Sequence, residues 1–361
     1  MRIIAVAGAS GGHIYPALAF LEKLSAEKRV SDALLVLPSR SIKADFSVGA
    51  YSIKYISSSR ISFAFNRKSI LGFLNLLKCF WESLIILYKF KPDIVVGFGS
   101  IDSIPLVMFA WLFRVKTIIH EQNVMPGKAN RFLAKFVDKI AISFPNSRKY
   151  FDFPEGKVVL SGNPIRNSLK KISKEIALNF FSLNKDKFTI LVMGGSQGSQ
   201  HINSAFLNTL RLIKNKDNLQ VIHLLGRDER RGVAEEYDKV HVEAKVFDFF
   251  SSMEFAYSAA DLAITRGGAS TVSELIYFKL PSIIFPYPYA YKHQFENAKI
   301  LCERGCAAVM NESDLDGSLL LDTLELLAKD KNILNRMISS FDSFPVISAA
   351  DRLKEEVLIL N

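Results

Sequence analysis

Twice the chain runs a short apolar segment into a glycine-rich turn that opens a helix, and this recurrence restricts the possible fold more than any other feature. The first copy is Ile3–Ala7 followed by Gly8-Ala9-Ser10-Gly11-Gly12-His13. The second is Phe188–Met193 followed by Gly194-Gly195-Ser196-Gln197-Gly198. Such a run reads as a strand buried on both faces, as in a parallel sheet. Glycine lets the backbone turn sharply and come close to a ligand, and the helix then aims its free N–H groups at the turn, where they suit an anion. Further strand-like runs alternate with helix-like ones: Leu34–Leu37, Asp93–Phe98, Lys116–Ile119, 138–142 and 158–160, then 219–224, 242–246, 261–264, 282–285 and 307–309. This α/β alternation predicts two doubly wound, Rossmann-like parallel sheets facing each other across a cleft. The turn Gly162-Asn163-Pro164-Ile165-Arg166 and the Lys-rich stretch 167–187 mark the boundary. The expected domains are therefore 1–163 and 164–344, with the amphipathic end 345–361 free to pack back on the first.

The turns do not fit a dehydrogenase. Glycines fall at 8, 11 and 12, not in the GxGxxG order, and the next strand runs into Pro38-Ser39-Arg40 with no acidic ribose clamp. Cys79, Cys302 and Cys306 form no even disulfide set, which suggests buried reduced thiols in a cytoplasmic protein. Immediate entry into a strand at Ile3 predicts a chain without a signal peptide, and Ile104–Phe113 falls short of the roughly 20 residues that span a bilayer. The net charge of +10 is uneven: residues 1–163 hold 22 of the 46 Lys and Arg but only 11 of the 36 Asp and Glu. The first half therefore expects an anionic partner, and nothing in it suggests nucleic acid.

Asp261–Glu274 concentrates the chemistry of the second half. A short buried strand leads through Gly267 and Gly268 to Ser270 and Thr271, which can cap the following helix, and to Glu274 one turn in. Thr271-x-x-Glu274 also matches a capping box, in which the glutamate would bond only backbone. Three or four glycine-rich turns spread over both halves favour a ligand role instead, in an enzyme handling two phosphate-bearing substrates.

Gly8–His13, His120-Glu121-Gln122-Asn123, Gly162–Arg166, Gly194–Gly198, Arg266–Glu274 and Gln294-x-x-Asn297-Ala298 occur in one order over nearly the whole chain. In this the sequence resembles the MurG family of glycosyltransferases. The resemblance implies a GT-B fold and transfer of N-acetylglucosamine from UDP-N-acetylglucosamine to the C4 hydroxyl of lipid I, forming lipid II in peptidoglycan synthesis. It places Glu274 on the ribose hydroxyls and the Phe250 backbone on the uracil edge. Ser196, Ala269, Ser270, Thr271 and Arg166 would surround the diphosphate. Gln294, Ser10, Gly11, Gly12 and Asn123 would reach the sugar, and Gly97, Gly99 and Ser100 the acceptor diphosphate. His13 is the candidate base. One loop departs from the pattern: Gly99-Ser100-Ile101 stands where Gly-Gly-Tyr is usual. Arg266 occupies the place of the second glutamate of many retaining relatives, so the reading is of an inverting enzyme giving a β-1,4 link. No metal or cofactor is expected, since Asp-x-Asp occurs only at Asp314–Asp316.

The acceptor's polyprenyl chain stays in a bilayer, so the resemblance also implies a peripheral enzyme on the cytoplasmic face of the cell membrane. The helical stretch 68–90 carries Ile70, Leu74, Leu77, Phe80 and Trp81 beside Lys68, Lys78 and Lys89, the pattern of an interfacial helix drawn to anionic lipid. Trp111, Lys135 and Lys139 are expected to extend that face. Rival readings are a glycolipid glycosyltransferase, a UDP-N-acetylglucosamine 2-epimerase and a non-enzymatic nucleotide-sugar scaffold.

Overall fold

The computed structural model describes residues 1–41, 51–57, 67–195, 198–226, 230–288, 292–314 and 318–360. Its opening strand, β1 (Arg2–Val6), lies inside a seven-stranded sheet with β2 (Asp32–Pro38), β3 (Ser52–Ile56), β4 (Ile94–Gly97), β5 (Lys116–Glu121), β6 (Lys139–Ile142) and β7 (Val158–Leu160). The order is β3-β2-β1-β4-β5-β6-β7, and every pair is parallel. The continuous apolar runs follow from that placement, because both faces are covered. Ile3 and Ala5 pack with Phe20 and Leu24 of the helix Gly11–Leu24, whereas Ile4 and Val6 pack with Ile86, Leu87 and Leu106 on the opposite face. The unexpected strand is β3, an edge strand whose Lys54 and Tyr55 are exposed, so its sequence lacks the apolar run of its neighbours.

The first compact unit comprises Met1–Asn167 with Ile347–Asn361, and the second Ser168–Val346. The C-terminal helix Ala349–Leu360 closes one face of the first sheet with fully buried Leu353 and Val357. Lys139 Nζ meets Glu356 Oε2 at 2.5 Å with both side chains largely buried. Lys139 is thus committed to an internal ion pair and does not extend a lipid-facing surface.

The second sheet contains β8 (Phe188–Met193), β9 (Leu219–Leu224), β10 (Glu243–Phe247), β11 (Leu262–Thr265), β12 (Ser282–Ile284) and β13 (Ala307–Val309). Its order is β10-β9-β8-β11-β12-β13, again all parallel. Ile190, Val192, Leu262 and Ile264 pack there with Ile202, Phe206, Leu320 and Leu324 from covering helices. One polar cluster is sealed into this core. His223 Nε2 lies 3.1 Å from Asn203 Oδ1 and Nδ1 lies 2.8 Å from the Tyr237 hydroxyl. An amide oxygen can only accept, so Nε2 carries the hydrogen and Nδ1 accepts from Tyr237. Burial lowers the His223 pKa to about 3. Cys79 and Cys306 are buried, but Cys302 is exposed, contrary to the expectation of three buried thiols.

Candidate active site

In an open parallel sheet, a crevice forms where neighbouring strands send their connections in opposite directions. In the first unit that point lies between β1, which continues to β2, and β4, which continues to β5. The loops leaving these strands are Gly8–Ser10 and Gly97–Ser103, two of the glycine-rich segments singled out above. A Cβ on Gly8 would come within 2.4 Å of Ser100 Cβ and 2.8 Å of His13 Nδ1, so only glycine lets the two loops meet. Gly99 has φ +82°, and a side chain there would press on His13 Cδ2 and Nε2 at 3.3 Å. Ser10, His13, Gly99 and Ser100 therefore converge on one spot. Gly97 ends β4 beneath it, and Gly11 and Gly12 open the helix that carries His13.

Ser100 has φ 75° and ψ 153°, a conformation that belongs almost entirely to glycine. Here the departure from Gly-Gly-Tyr becomes visible. The strain is held by Ser100 Oγ donating to Asp102 Oδ2 at 3.0 Å, and that oxygen also receives Arg40 Nη2 at 2.7 Å.

His13 Nδ1 lies 3.0 Å from Ser10 Oγ. Burial lowers the pKa of the ring to about 4, with Asp102 pulling the other way. The imidazole is neutral at pH 7. With the hydrogen on Nδ1, donated to Ser10 Oγ, Nε2 keeps its lone pair for a proton.

The His120–Asn123 motif ends β5, and most of it is scaffold. His120, Glu121 and Gln122 are buried, and Asn123 is partly exposed. Glu121 accepts from Asn123 N at 2.9 Å, Asn123 Nδ2 at 3.2 Å, Gly127 N at 3.1 Å and Asn130 Nδ2 at 2.8 Å. Burial still raises its pKa. The motif thus fixes Asn123 and presents it. Arg166 stacks its guanidinium 4.5 Å from the centre of the Tyr15 ring, and its Nε is buried without a hydrogen-bond partner.

In the second unit the switch point lies between β8 and β11, again at the glycine-rich turns. A Cβ on Gly194 would strike Ser199 N at 2.2 Å, and one on Gly267 would strike Gln294 O at 2.3 Å. Ser196 lies outside the described residues. The helix Ala269–Phe278 is capped by Gly268, with no side-chain cap. Ser270 and Thr271 therefore occupy its first turn and do not cap it, and the capping-box geometry is absent. Gly268 already has the extended backbone a cap position requires, so the helix starts before Ser270. Ser270 Oγ is buried without a hydrogen-bond partner.

Glu274 Oε2 instead accepts from the Tyr257 hydroxyl at 2.6 Å. Tyr257, on the helix Met253–Ala259, is buried and stacks on Phe278 at 5.0 Å. The sequence offers no signal for it, since a tyrosine in an apolar helical run reads as core. Arg266 is largely buried and spans the site: it donates to Phe285 O at 3.2 Å, Ser199 Oγ at 2.8 Å and Glu312 Oε1 at 2.5 Å. Asn297 Nδ2 donates to Gly267 O at 3.1 Å, and Gln294 Oε1 accepts from Tyr287 N at 2.9 Å. Ala269, Ser270, Thr271, Glu274 and Gln294 thus gather at the end of β11. Phe250 follows β10 at the edge of the same sheet, its ring packed on Phe181 and Phe247 at 5.4 and 4.9 Å. Among the described residues, no three His, Cys, Asp or Glu side chains form a metal site.

Known proteins resemble this chain over nearly its whole length. Residues 3–142 match the glycosyltransferase family 28 N-terminal domain and residues 189–353 its C-terminal domain. The UDP-N-acetylglucosamine–N-acetylmuramyl-(pentapeptide) pyrophosphoryl-undecaprenol N-acetylglucosamine transferase of Thermodesulfovibrio yellowstonii is 35% identical, over 98% of this chain and 97% of its own. The enzyme of the same name from Halothermothrix orenii is 36% identical over 94% of each chain. The crystal structure of MurG from Acinetobacter baumannii superposes with a TM-score of 0.76 at 23% identity, covering 99% of this chain and all of that one.

Proposed function

Because the chain belongs to glycosyltransferase family 28 and matches its N-acetylglucosamine transferases over nearly its whole length, we infer that it transfers N-acetylglucosamine from UDP-N-acetylglucosamine to N-acetylmuramyl-(pentapeptide) pyrophosphoryl-undecaprenol. The observation that carries the reading is that both switch points coincide with the glycine-rich turns, with neutral His13 at one and a Tyr257-anchored Glu274 at the other.

The second unit holds the nucleotide. Glu274 accepts the ribose hydroxyls; a carboxylate has about four lone-pair sites, so the Tyr257 bond orients it without exhausting it. The Phe250 backbone meets uracil. Ala269, Ser270 and Thr271 face the diphosphate at the helix N-terminus, with Arg166 supplying a guanidinium, and the family motif assigns Ser196 to the same group. Gln294, Ser10, Gly11, Gly12 and Asn123 recognise the sugar, and Gly97, Gly99 and Ser100 the acceptor diphosphate. The acceptor C4 oxygen attacks the anomeric carbon, its proton passes to His13 Nε2, and the anomeric C–O bond breaks to release UDP with inversion. UDP release should be fast only with a lipid I analogue. Equal release into water, or epimerisation of the donor, would refute this reading.

The first unit also carries the membrane face. Leu77, Trp81 and Tyr88 are exposed along the helix Arg67–Phe90, followed by Trp111, Leu112 and Phe113. Trp81, Leu84, Ile85, Tyr88, Lys89 and Phe113 border an apolar cavity of about 670 Å³. Phe80 is half-buried against Phe109, 5.7 Å between ring centres, and contributes less to that face than its spacing suggested. The side chains of Lys68, Ile70 and Leu74 lie outside the described residues. Lys78, Lys89 and Lys135 are exposed and suit anionic headgroups. Among the described residues no helix is long and apolar enough to cross a membrane.

A further inference from the structure

The mechanism above leaves one buried charge without a task. Asp102 sits in the 3-10 turn Ile101–Ser103, directly after the strained Ser100, and is 2% exposed. Its Oδ2 holds Ser100 Oγ and Arg40 Nη2. Its Oδ1 is buried with no hydrogen-bond partner. A point 2.9 Å from Ser100 Oγ and 2.8 Å from His13 Nδ1, where a Cβ of Gly8 would stand, shows how closely that turn approaches the ring. A buried carboxylate with one oxygen unsatisfied is costly, and in a site that must accept a proton it has an evident use.

We propose that Asp102 is a positioning residue for His13: it fixes the Gly99–Ser100 turn against the ring and supplies the counter-charge to the imidazolium formed when His13 takes the acceptor's proton. Arg40, at the surface, offsets part of the Asp102 charge from 2.7 Å away. Among the described residues, other charged or titratable groups near the ring are Glu121 and His120, behind Gly99 and Asn130 at the end of β5, and Arg166, stacked on Tyr15 two residues along the same helix. Asp102 is the group whose charge reaches His13 from the strained turn, and its field opposes the effect of burial. The role rests on His13 being the base, but the coupling between the two residues can be measured without turnover.

The experiment follows the imidazole of His13 by NMR in the full chain, labelled at histidine, from pH 7 down to about 4.5. Asp102→Asn keeps an acceptor for Ser100 and removes the charge. The protonated fraction of His13 on this limb should then fall by about tenfold, the effect of roughly one unit of pKa from a nearby opposite charge. An unchanged fraction overturns the proposal. Ser100→Gly removes the tether but not the charge. If it reproduces the whole effect of Asp102→Asn, loop displacement is responsible and the counter-charge is refuted. Should Asp102→Asn fail to fold, Arg40→Gln tests the same coupling from its exposed side. Removing the neutralising charge should raise the protonated fraction, and a fall or no change counts against the idea. In turnover, Asp102→Asn should lower kcat roughly three- to tenfold with donor KM unchanged and move the acid limb to lower pH. If the NMR shift appears without the kinetic one, the coupling stands and His13 is not the base.

Discussion

Tyr257→Phe separates a ligand role for Glu274 from a structural one. The substitution keeps the ring, its stacking on Phe278 and its burial, and deletes only the hydroxyl that donates to Glu274 Oε2 at 2.6 Å. A hydrogen bond to a charged acceptor contributes about 1.5–3 kcal/mol. Glu274 is partly exposed, so water recovers part of that, and stability should fall by about 1 kcal/mol. The carboxylate loses its fixed direction, and UDP affinity should weaken roughly fivefold, about 1 kcal/mol. Glu274→Ala removes the acceptor itself and should weaken UDP by about 1.5–3 kcal/mol. Calorimetric titration of UDP into the two single variants and the double variant completes a cycle. If Tyr257 acts only through Glu274, adding Tyr257→Phe to Glu274→Ala costs no further affinity. Unchanged UDP affinity in both single variants, together with a fall in Tm, would refute the ligand role and leave Glu274 as a buried-tyrosine partner.

The other expectations are more direct. His13→Ala should lower kcat by about 10²–10⁴ with UDP binding intact, and a loss below tenfold would assign the proton elsewhere. His120 is fully buried with its pKa lowered to about 4, so the unfolded chain takes up its proton first as pH falls. Its contribution to stability is complete above pH 6.5 and should decline by about 2 kcal/mol by pH 5, measurable by urea unfolding at the two pH values. A flat urea midpoint between pH 7 and 5 would contradict the neutral, buried state. Leu77→Glu with Trp81→Glu, both at exposed positions, should abolish sedimentation with anionic liposomes at low salt and spare UDP binding. Full sedimentation would place the contact elsewhere. Leu353→Ala should destabilise the first unit by about 2–5 kcal/mol, readable as a lower Tm, and a smaller loss would mean that the C-terminal helix is not part of its core.

Both sheets and their switch-point turns were legible because parallel strands are buried on both faces and write themselves as apolar runs. Strand β3 was not, since half of an edge strand faces water. The glycine-rich turns marked the two switch points, and the ordered motifs picked out residues that the fold gathers near them. The partners of those residues stayed hidden. Tyr257, Arg40 and Asp102 come from distant segments, and nothing local distinguishes a tyrosine that anchors a carboxylate from one that fills space. The capping-box reading failed for a related reason. Gly268 can take the cap position by backbone geometry alone, and a spacing rule does not register that. The apolar stripe of 68–90 likewise gave spacing without saying which side chains a neighbouring helix covers, and Phe109 covers part of Phe80.

The helix that closes the first sheet is translated after the entire second unit. While residues 168–346 are being made, the apolar face formed by Ile3, Ala5 and Phe20 waits for Leu353 and Val357. At about 5–20 residues per second, that interval lasts roughly 10–40 s. The nascent first unit is therefore a client for chaperones throughout the synthesis of its neighbour, although the second unit can bury its own core as soon as it emerges. Ribosome stalling inside residues 168–346 would leave all seven strands of the first sheet made but one face without its last helix, so codon choice across that stretch should bear on yield more than codon choice before it.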